Sequence, residues 1–341
     1  AKTTIMISPT FSEDKIWLNG KEESLGNPRY TRCLEEIRRK AINSHFQDWK
    51  VHICSVNNFP TAAGLASSAA GFACLVYSLS KIFNVEEDIS SIARLGSGSA
   101  CRSVSGGFVQ WLKGSENDGS DSVAKQLVPS SHWPELRVLI LVVNDVHKKV
   151  SSTVGMRRTA ETSELLQHRI TQCVPHRITD MIKAIQEKNF QKFAELTMKD
   201  SNQFHSVCMD TYPPTFYMNM TSQHIIDFVH TYNKLSGENK VAYTFDAGPN
   251  ACLFLQESSV AEVLHLIQQT FPPKENNTEY IRGIPITIET TNNEGLMQNF
   301  NHYETGLLKY IIYTKLGEGP QELKGDHIHL LNANGMPKSN S

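Results

Sequence analysis

The hydrophobic pattern near residue 50 changes abruptly from that of a strand to that of a helix. Residues 51–56 alternate apolar and polar side chains, as a half-buried strand does. Apolar residues then recur at helical spacing, which predicts a helix over the positions Phe72, Leu75, Val76, Leu79, Ile82 and Phe83. The intervening residues 58–71 are mostly small, so they predict a tight loop that leads into a helix N-terminus.

Strand-like and helix-like patterns alternate along the rest of the chain. Strand character is found at residues 3–8, 15–20, 107–111, 241–245, 251–255 and 310–315, and the continuous apolar run 137–143 is typical of a buried strand. Helical spacing covers 33–42, 89–95, 178–186, 190–198 and 260–270, whereas the polar residues 114–122 predict a surface loop. Because 341 residues exceed what one hydrophobic core usually serves, we expect two lobes, 1–129 and 130–325, and a tail at 326–341.

Charge and cysteine usage exclude several classes of partner. Lys plus Arg number 33 and Asp plus Glu 35, and the net charge of −2 argues against a nucleic-acid-binding surface. The seven cysteines are scattered without metal-ligand spacing, which favours reduced thiols in the cytosol. The opening residues do not resemble a signal peptide, and the apolar run 138–143 is too short to span a bilayer. We therefore expect a soluble, cytoplasmic protein without nucleic-acid or membrane partners.

The loop at 58–71 has the composition of a phosphate-binding site. A helix N-terminus presents backbone N–H groups that lack intrahelical partners, and the helix dipole attracts anions there. Gly64 and the neighbouring alanines let a phosphate approach the main chain, and Ser67 and Ser68 add hydroxyls for a phosphate oxygen or a metal. The alternative is that the small residues only allow tight helix packing or form a linker, although the well-patterned flanks argue against a linker.

Three other places carry candidate chemistry, each with a structural alternative. Residues 96–102 combine glycines, serines and Arg102, which suits a second anion site, although an ordinary turn could have the same composition. Taken alone, Arg29 is typical of a surface arginine. Asp246 precedes Ala-Gly-Pro, and taken alone it is typical of a carboxylate in an Asx turn. The polar run 199–205 predicts no role beyond a polar wall of a cleft.

Several motifs together resemble one enzyme family. Residues 60–70 follow the pattern Pro-x-x-x-Gly-Leu-x-Ser-Ser-Ala-Ala, which resembles the phosphate loop of the GHMP small-molecule kinases and is not a Walker sequence. Those kinases usually carry glycine at the position of Ala66. The mevalonate diphosphate decarboxylases carry alanine there, as this chain does. The similarity to the animal form of that family extends through residues 55–60, 96–102, 132–137 and 243–250.

The resemblance implies a fold and a reaction. The fold would be α+β and two-lobed, GHMP-kinase-like, with a ribosomal-protein-S5-like, ATP-binding N-terminal lobe, a ferredoxin-like C-terminal lobe and the active site in the cleft between them. The reaction would be the ATP-dependent decarboxylation of mevalonate 5-diphosphate to isopentenyl diphosphate, ADP, phosphate and CO2, a step of isoprenoid and sterol biosynthesis. Magnesium is expected with the ATP phosphates, with Ser68 as a possible ligand, and a homodimer is expected.

The resemblance also assigns roles to individual residues. Asp246 would orient and deprotonate the 3-hydroxyl of the substrate, Ser68 would act at the ATP phosphates, and Arg102 would hold the carboxylate. The ATP phosphate loop would comprise Pro60, Ala63, Gly64, Leu65, Ala66, Ser67 and Ser68. The mevalonate diphosphate site would comprise Arg29, Ser97, Gly98, Ser99, Ala100, Cys101, Arg102 and Thr153.

Two alternative functions stay open on the sequence alone. A kinase of the same fold would stop after phosphorylation, and a non-catalytic protein on the same scaffold would bind ligand without consuming ATP. The resemblance begins at Ala1, without the family's opening segment and its Tyr-Trp-Gly-Lys stretch. From the sequence we therefore expect impaired turnover and an incomplete first sheet.

Overall fold

The computed structural model divides into two compact units. It describes residues 1–24, 26–42, 44–59, 65–143, 150–274, 279–288 and 294–338. Unit 1 comprises the described residues of 1–61, 66–132 and 317–341, and unit 2 those of 62–65 and 133–316. The division after residue 132 lies three residues beyond the predicted boundary at 129/130.

Unit 1 contains a four-stranded sheet in the order β1-β4-β2-β3. The strands are β1 (Lys2–Ser8), β2 (Lys15–Leu18), β3 (Lys21–Glu23) and β4 (Lys50–Val56). β4 pairs antiparallel with β1 and parallel with β2. The predicted hairpin at 15–20 is present, and Asn19 and Gly20 turn it with φ of 49° and 78°, which matches the twist of the flanking strands.

Helices and a small hairpin complete unit 1. The helices are α1 (Pro28–Lys40), α2 (Ser67–Ile82), α3 (Ser90–Gly96) and α4 (Ala100–Ser103), and the hairpin pairs β5 (Phe108–Trp111) with β6 (Ala124–Val128). One apolar cluster joins α1, α2 and α3 to the sheet through fully buried residues such as Ile37, Val76 and Ile92. The helical spacing that predicted α2 therefore marks its buried face.

The described residues of the predicted tail, 326–341, group with unit 1 and pack on its sheet. Leu330 and Leu331 are buried against Trp17 of β2 and Cys54 of β4, on the other face of the sheet from α2. The Leu330 N–H also donates to the Thr4 hydroxyl at 3.0 Å. The sequence around these two leucines is polar and turn-rich, so its periodicity did not reveal that the sheet needs them to cover an apolar face.

Unit 2 is built on a five-stranded sheet in the order β10-β11-β7-β9-β8. The strands are β7 (Leu136–Val142), β8 (Val241–Phe245), β9 (Ala251–Gln256), β10 (Ile281–Gly283) and β11 (Tyr310–Lys315). β11, β7, β9 and β8 pair antiparallel throughout, with helices between β7 and β8 and between β9 and β11. This is the ferredoxin-like arrangement that the family resemblance implied, with β10 added parallel to β11.

The helices of unit 2 follow the predicted order but differ in length. They are α5 (Ser152–Thr162), α6 (Glu164–His168), α7 (Val174–Gln186), α8 (Phe190–Asp210), α9 (Met220–Ser236), α10 (Val260–Thr270) and α11 (Glu294–Met297), with a π-helical turn at Arg169–Cys173. α8 runs twelve residues beyond the predicted end at 198. The polar run 199–205 is therefore helical, and α8 packs along β8.

Candidate active site

Unit 1 brings Arg29 to the second small-residue loop. Arg29 lies in the first turn of α1, whose N-cap Asn27 accepts a hydrogen bond from the Arg29 N–H at 3.1 Å. The Arg29 Nε donates to the carbonyl oxygen of Gly96, the last residue of α3. Its guanidinium also lies 4.5 Å from the centre of the Phe72 ring. Two candidates that lie 67 residues apart in the sequence are thus in direct contact.

The loop itself is a compact set of turns between α3 and α4. The Ala100 N–H donates to the Ser97 carbonyl at 2.8 Å, and the Arg102 N–H donates to the Ser99 carbonyl at 3.2 Å. Ser97, Gly98 and Ser99 are half-buried, whereas the side chains of Ala100 and Cys101 are fully buried in the core. Ala100 and Cys101 therefore have only their backbone groups to offer a ligand.

Arg102 is exposed and lies beside an aromatic ring. Its guanidinium lies 5.7 Å from the centre of the Trp111 ring on β5. A Cβ atom at Gly98 would lie 3.0 Å from the same ring, so glycine lets Trp111 close over the loop. Burial lowers the pKa of Arg29 below its ordinary value, but that value is so high that Arg29 stays charged near neutral pH. The site is therefore suited to a multiply charged anion.

The predicted ATP phosphate loop is only partly described. Pro60, Ala63 and Gly64 lie outside the described residues, and Leu65 is half-buried. Ala66, the N-cap of α2, has left-handed backbone angles, φ 55° and ψ 30°, and no side chain of the described residues accepts a cap hydrogen bond there. Ser67 is buried and Ser68 is exposed at the start of this 16-residue helix. Of the two serines, Ser68 is the one whose side chain is available to a ligand.

Asp246 is the first residue of the loop between β8 and β9 and is exposed. The Gly248 N–H donates to the Asp246 carbonyl at 2.7 Å, which makes a tight turn. The far end of the loop is fixed by Ser222 of α9, whose hydroxyl donates to the Pro249 carbonyl at 3.0 Å. The Asn250 side chain accepts from the Val143 N–H at 2.8 Å. The carboxylate is thus presented from a loop that is anchored to its neighbours.

The charge of Asp246 reaches several buried groups of unit 2. Burial raises the pKa of Cys208 to about 11 and that of Cys252 to about 12, and the Asp246 carboxylate acts in the same direction. Burial likewise raises the pKa of Tyr217 to about 12, with further contributions from Cys208 and Asp246. Cys208, Cys252 and Tyr217 are therefore protonated near neutral pH.

The N-terminus of α5 places Thr153 in the same part of unit 2. Ser151 caps this helix by accepting from the Val154 N–H at 3.3 Å, and Thr153 is exposed. The Tyr217 hydroxyl donates to the Ser151 carbonyl at 3.4 Å, and a Cβ atom at Gly155 would lie 2.2 Å from that hydroxyl. Tyr217 therefore connects the start of α5 to the electrostatic surroundings of Asp246.

Sequence reasoning missed two sets of residues near these groups. Ser201 and His205 of α8 bond the backbone directly before Asp246, and both lie within the polar run that predicted no specific role. Their four-residue spacing was the available signal, because it places both on one helix face. Arg157 is an exposed cation four residues after Thr153 on α5, and the same spacing could have identified it.

A cavity of about 790 Å³ in unit 1 does not coincide with the candidate site. It lies between β1, α2 and the segment 317–329, and its lining includes Tyr77 and the ion pair of Lys81 with Glu322. Arg102 is the one residue of the predicted anion sites that lines it. The cavity therefore touches the candidate site at Arg102 and otherwise lies outside it.

The described residues contain no ready-made metal centre or membrane span. In that part of the chain, no group of three or more His, Cys, Asp and Glu side chains could hold a metal ion. None of the described helices is long and apolar enough to cross a membrane. All seven cysteines are among the described residues, and each is a free thiol.

Comparisons with known proteins agree along nearly the whole chain. Residues 1–124 match the diphosphomevalonate decarboxylase-like N-terminal domain, and residues 138–323 match the mevalonate 5-diphosphate decarboxylase C-terminal domain. The diphosphomevalonate decarboxylases of Danio rerio and Homo sapiens are each 51% identical, over 99% and 98% of this chain and 86% of each relative.

Solved structures give the same result. Mevalonate diphosphate decarboxylase from Trypanosoma brucei has a TM-score of 0.88 and 34% identity, covering 97% of this chain and 88% of that one. A structure described as MDDEF in complex with MVAPP, AMPPCP and magnesium has a TM-score of 0.69 and 32% identity, over 79% of this chain and 81% of that one. The fold is thus the GHMP-kinase-like α+β fold that the motifs predicted.

Fold and sequence together define a carboxy-lyase built on a small-molecule-kinase scaffold. More narrowly, the chain belongs to the diphosphomevalonate decarboxylase family.

Proposed function

We propose that this chain catalyses the ATP-dependent decarboxylation of mevalonate 5-diphosphate to isopentenyl diphosphate, with ADP, phosphate and CO2 as the other products. The contact of Arg29 with the Gly96 carbonyl supports the proposal most strongly, because it places this cation against the surface of the second small-residue loop. Such a surface suits a substrate that carries both a diphosphate and a carboxylate. In the proposal, Arg29 and the loop from Ser97 to Arg102 hold these groups, with Arg102 at the carboxylate.

The residues at the start of α2 fit a nucleotide phosphate. The helix is long enough for a substantial dipole, its N-cap carries no side-chain cap among the described residues, and Ser68 is exposed there. ATP and Mg²⁺ use is further supported by the related structure described as containing AMPPCP and magnesium. When bound, MgATP would supply the phosphoryl group that turns the 3-hydroxyl into a leaving group.

The groups of unit 2 act on the hydroxyl end of the substrate in this proposal. The exposed carboxylate of Asp246 accepts the proton of the 3-hydroxyl, and Thr153 donates its hydroxyl to the substrate diphosphate. A positioned general base of this kind contributes about 10²–10⁴-fold in rate. Asp246 is exposed, and burial keeps its neighbours Cys208 and Tyr217 protonated, so in the proposal the proton goes to Asp246 and not to them.

The ratio of the products tests the proposal. The purified chain is incubated with ATP, Mg²⁺ and mevalonate 5-diphosphate labelled at its carboxyl carbon, and the CO2 and ADP are measured in the same samples. We expect equal amounts of CO2 and ADP, whatever the absolute rate. Asp246→Asn, Ser68→Ala and Arg102→Gln should each lower both products together.

The other functions predict different ratios. ADP formed without CO2 would identify a kinase that stops after phosphorylation. Binding of mevalonate diphosphate without any ADP, followed by calorimetry, would identify a non-catalytic binding protein. Either result would overturn the proposal.

A further inference from the structure

Two buried side chains of α8 hold the residue that directly precedes Asp246. Ser201 and His205 are four residues apart, so they share one face of the helix, and each is only 4% exposed. The Phe245 N–H donates to the Ser201 hydroxyl oxygen at 3.2 Å. The His205 Nε2 donates to the Phe245 carbonyl at 3.3 Å. Both backbone groups of Phe245 are therefore bonded to α8.

These bonds are made at the edge of the sheet. β8 is the last strand in the sheet order, with β9 as its neighbour. The N–H and C=O of one residue in a strand point to the same side, so the bonds to α8 show that those of Phe245 are turned away from β9. Buried backbone groups without hydrogen-bond partners destabilise a fold, so the α8 side chains stabilise this strand edge by bonding both groups of Phe245.

Asn233 of α9 makes an equivalent cap at the other end of β8. Its side-chain amide donates to the Val241 carbonyl at 2.8 Å, and its side-chain oxygen accepts from the Val241 N–H at 3.0 Å. Asn233 is 7% exposed. The two caps satisfy the same kind of edge group on the same strand, but only one of them adjoins Asp246.

The carbonyl of Phe245 belongs to the peptide plane that contains the backbone nitrogen of Asp246. That plane is rigid, so a hydrogen bond to its carbonyl also fixes the direction in which the chain enters Asp246. Rotating the plane would swing the Asp246 carboxylate, and a displacement of about 1 Å at a reacting group can cost 10²-fold in rate. The bond from His205 is thus placed where it can control the aim of the carboxylate.

We propose that His205, assisted by Ser201, is a positioning residue that sets the direction of the Asp246 carboxylate. The proposal rests on the proposed function, in which Asp246 acts on the substrate hydroxyl. His205 contributes direction and not charge: burial lowers its pKa below the ordinary value, although the bond to Phe245 and the Asp246 charge oppose this. The ring is neutral near pH 7 and carries its proton on Nε2, where the Phe245 carbonyl accepts it.

The test compares His205→Leu with Asn233→Leu. Both variants remove a cap from the edge of β8, so both should lower the melting temperature. His205→Leu should also lower kcat for CO2 release by about 10²-fold, with little change in KM, because binding does not depend on the aim of Asp246. His205→Gln keeps an N–H donor and should recover much of the lost kcat. Asn233→Leu should leave kcat unchanged.

A double-mutant cycle separates positioning from general damage. In an Asp246→Asn background, His205→Leu should lower kcat no further, because there is no carboxylate left to aim. Equal losses of kcat in the presence and absence of Asp246, or equal losses in His205→Leu and Asn233→Leu, would overturn the proposal. If His205→Leu does not fold, Ser201→Ala takes its place in both comparisons with the same criteria.

Failure of the proposed function gives a different result. In that case the unmodified chain forms no CO2, whereas failure of the positioning role alone leaves CO2 release by the unmodified chain intact.

Discussion

The Nδ1 atom of His52 on β4 donates a hydrogen bond to the carbonyl oxygen of Gly335 at 2.8 Å. The imidazole of His52 is also stacked on the Phe11 ring, with the ring centres 3.7 Å apart. These contacts hold the last described segment of the chain against β4, an inner strand of the unit 1 sheet. The C-terminal residues therefore contribute to the stability of the lobe that carries Arg29 and Arg102.

Gly335→Ala should destabilise the protein strongly. Gly335 has φ +73°, and a Cβ atom there would lie 2.4 Å from Phe11 and 2.8 Å from His52. Gly237 has the same φ of +73°, but a Cβ atom there would meet nothing within 4 Å, so Gly237→Ala is a matched control. The control should cost about 1–2 kcal/mol for the left-handed backbone alone, and Gly335→Ala about 1–3 kcal/mol more for the collision. Urea unfolding of the two variants measures the difference, and equal losses would contradict the account.

Gly96→Ala should damage the substrate site. A Cβ atom at Gly96 would lie 2.1 Å from the Phe72 ring, against which the Arg29 guanidinium is packed. The variant should lose about 1–3 kcal/mol of stability and bind mevalonate diphosphate more weakly. Gly71 precedes Phe72 on α2, and a Cβ atom there would meet nothing within 4 Å. Gly71→Ala should therefore stabilise the helix by about 0.5–1 kcal/mol. Calorimetric titration of both variants with the substrate checks the prediction; unchanged affinity in Gly96→Ala would count against it.

Ala66→Gly should stabilise the protein slightly. Ala66 has left-handed backbone angles, which cost an L-residue with a Cβ about 1–2 kcal/mol. Glycine avoids this strain but loses about 0.5–1 kcal/mol more in chain entropy on folding, which offsets part of the gain. A small net gain in melting temperature is expected. Ala70→Gly in the first turns of the same helix should lower it, because there the backbone is helical and glycine costs about 1 kcal/mol. A loss of stability in both variants would show that Ala66 is not strained.

Asp200→Asn should alter the acid sensitivity of unit 2. Burial would raise the pKa of Asp200, but hydrogen bonds and charge from Arg169 and Arg177, at 2.8 and 3.0 Å, lower it overall. A carboxyl with a lowered native pKa stabilises the fold above its unfolded pKa, near 4, and this contribution is lost as the pH falls below that value. Asp200→Asn should therefore be less stable than the unmodified chain at pH 7, with a gap that narrows at about pH 3. Thermal unfolding at both pH values tests this; a constant gap would contradict it.

The elements with strong periodicity were predictable, as was their order in unit 2. The apolar run at 137–143 became the central strand β7, and the paired patterns around Asp246 became β8 and β9. The segment after 326 was not predictable in this way. Its two buried leucines have no periodic neighbours. They are needed because they cover the apolar face of the sheet at Trp17 and Cys54, which no local pattern near residue 330 indicates.

The sequence also indicated which residues carry chemistry. It indicated less well which contacts hold those residues in place. Arg29 and the loop at 96–102 were identified separately, but their contact depends on the packing of α1 against α3, which no local pattern encodes. The left-handed backbone of Ala66 is invisible in the sequence because alanine does not normally favour it. His205 was not predicted: its four-residue spacing from Ser201 places both on one helix face, but that spacing does not say which strand the face meets.

The most direct measurement compares ADP formation by Asp246→Asn and Asp227→Asn at saturating mevalonate diphosphate and ATP. Both variants remove one exposed carboxylate from unit 2, but Asp227 lies on α9, outside the loop that follows β8. The account predicts that Asp246→Asn slows ADP formation by about 10²–10⁴-fold while Asp227→Asn matches the unmodified chain. ADP formation at the unmodified rate in Asp246→Asn would contradict it.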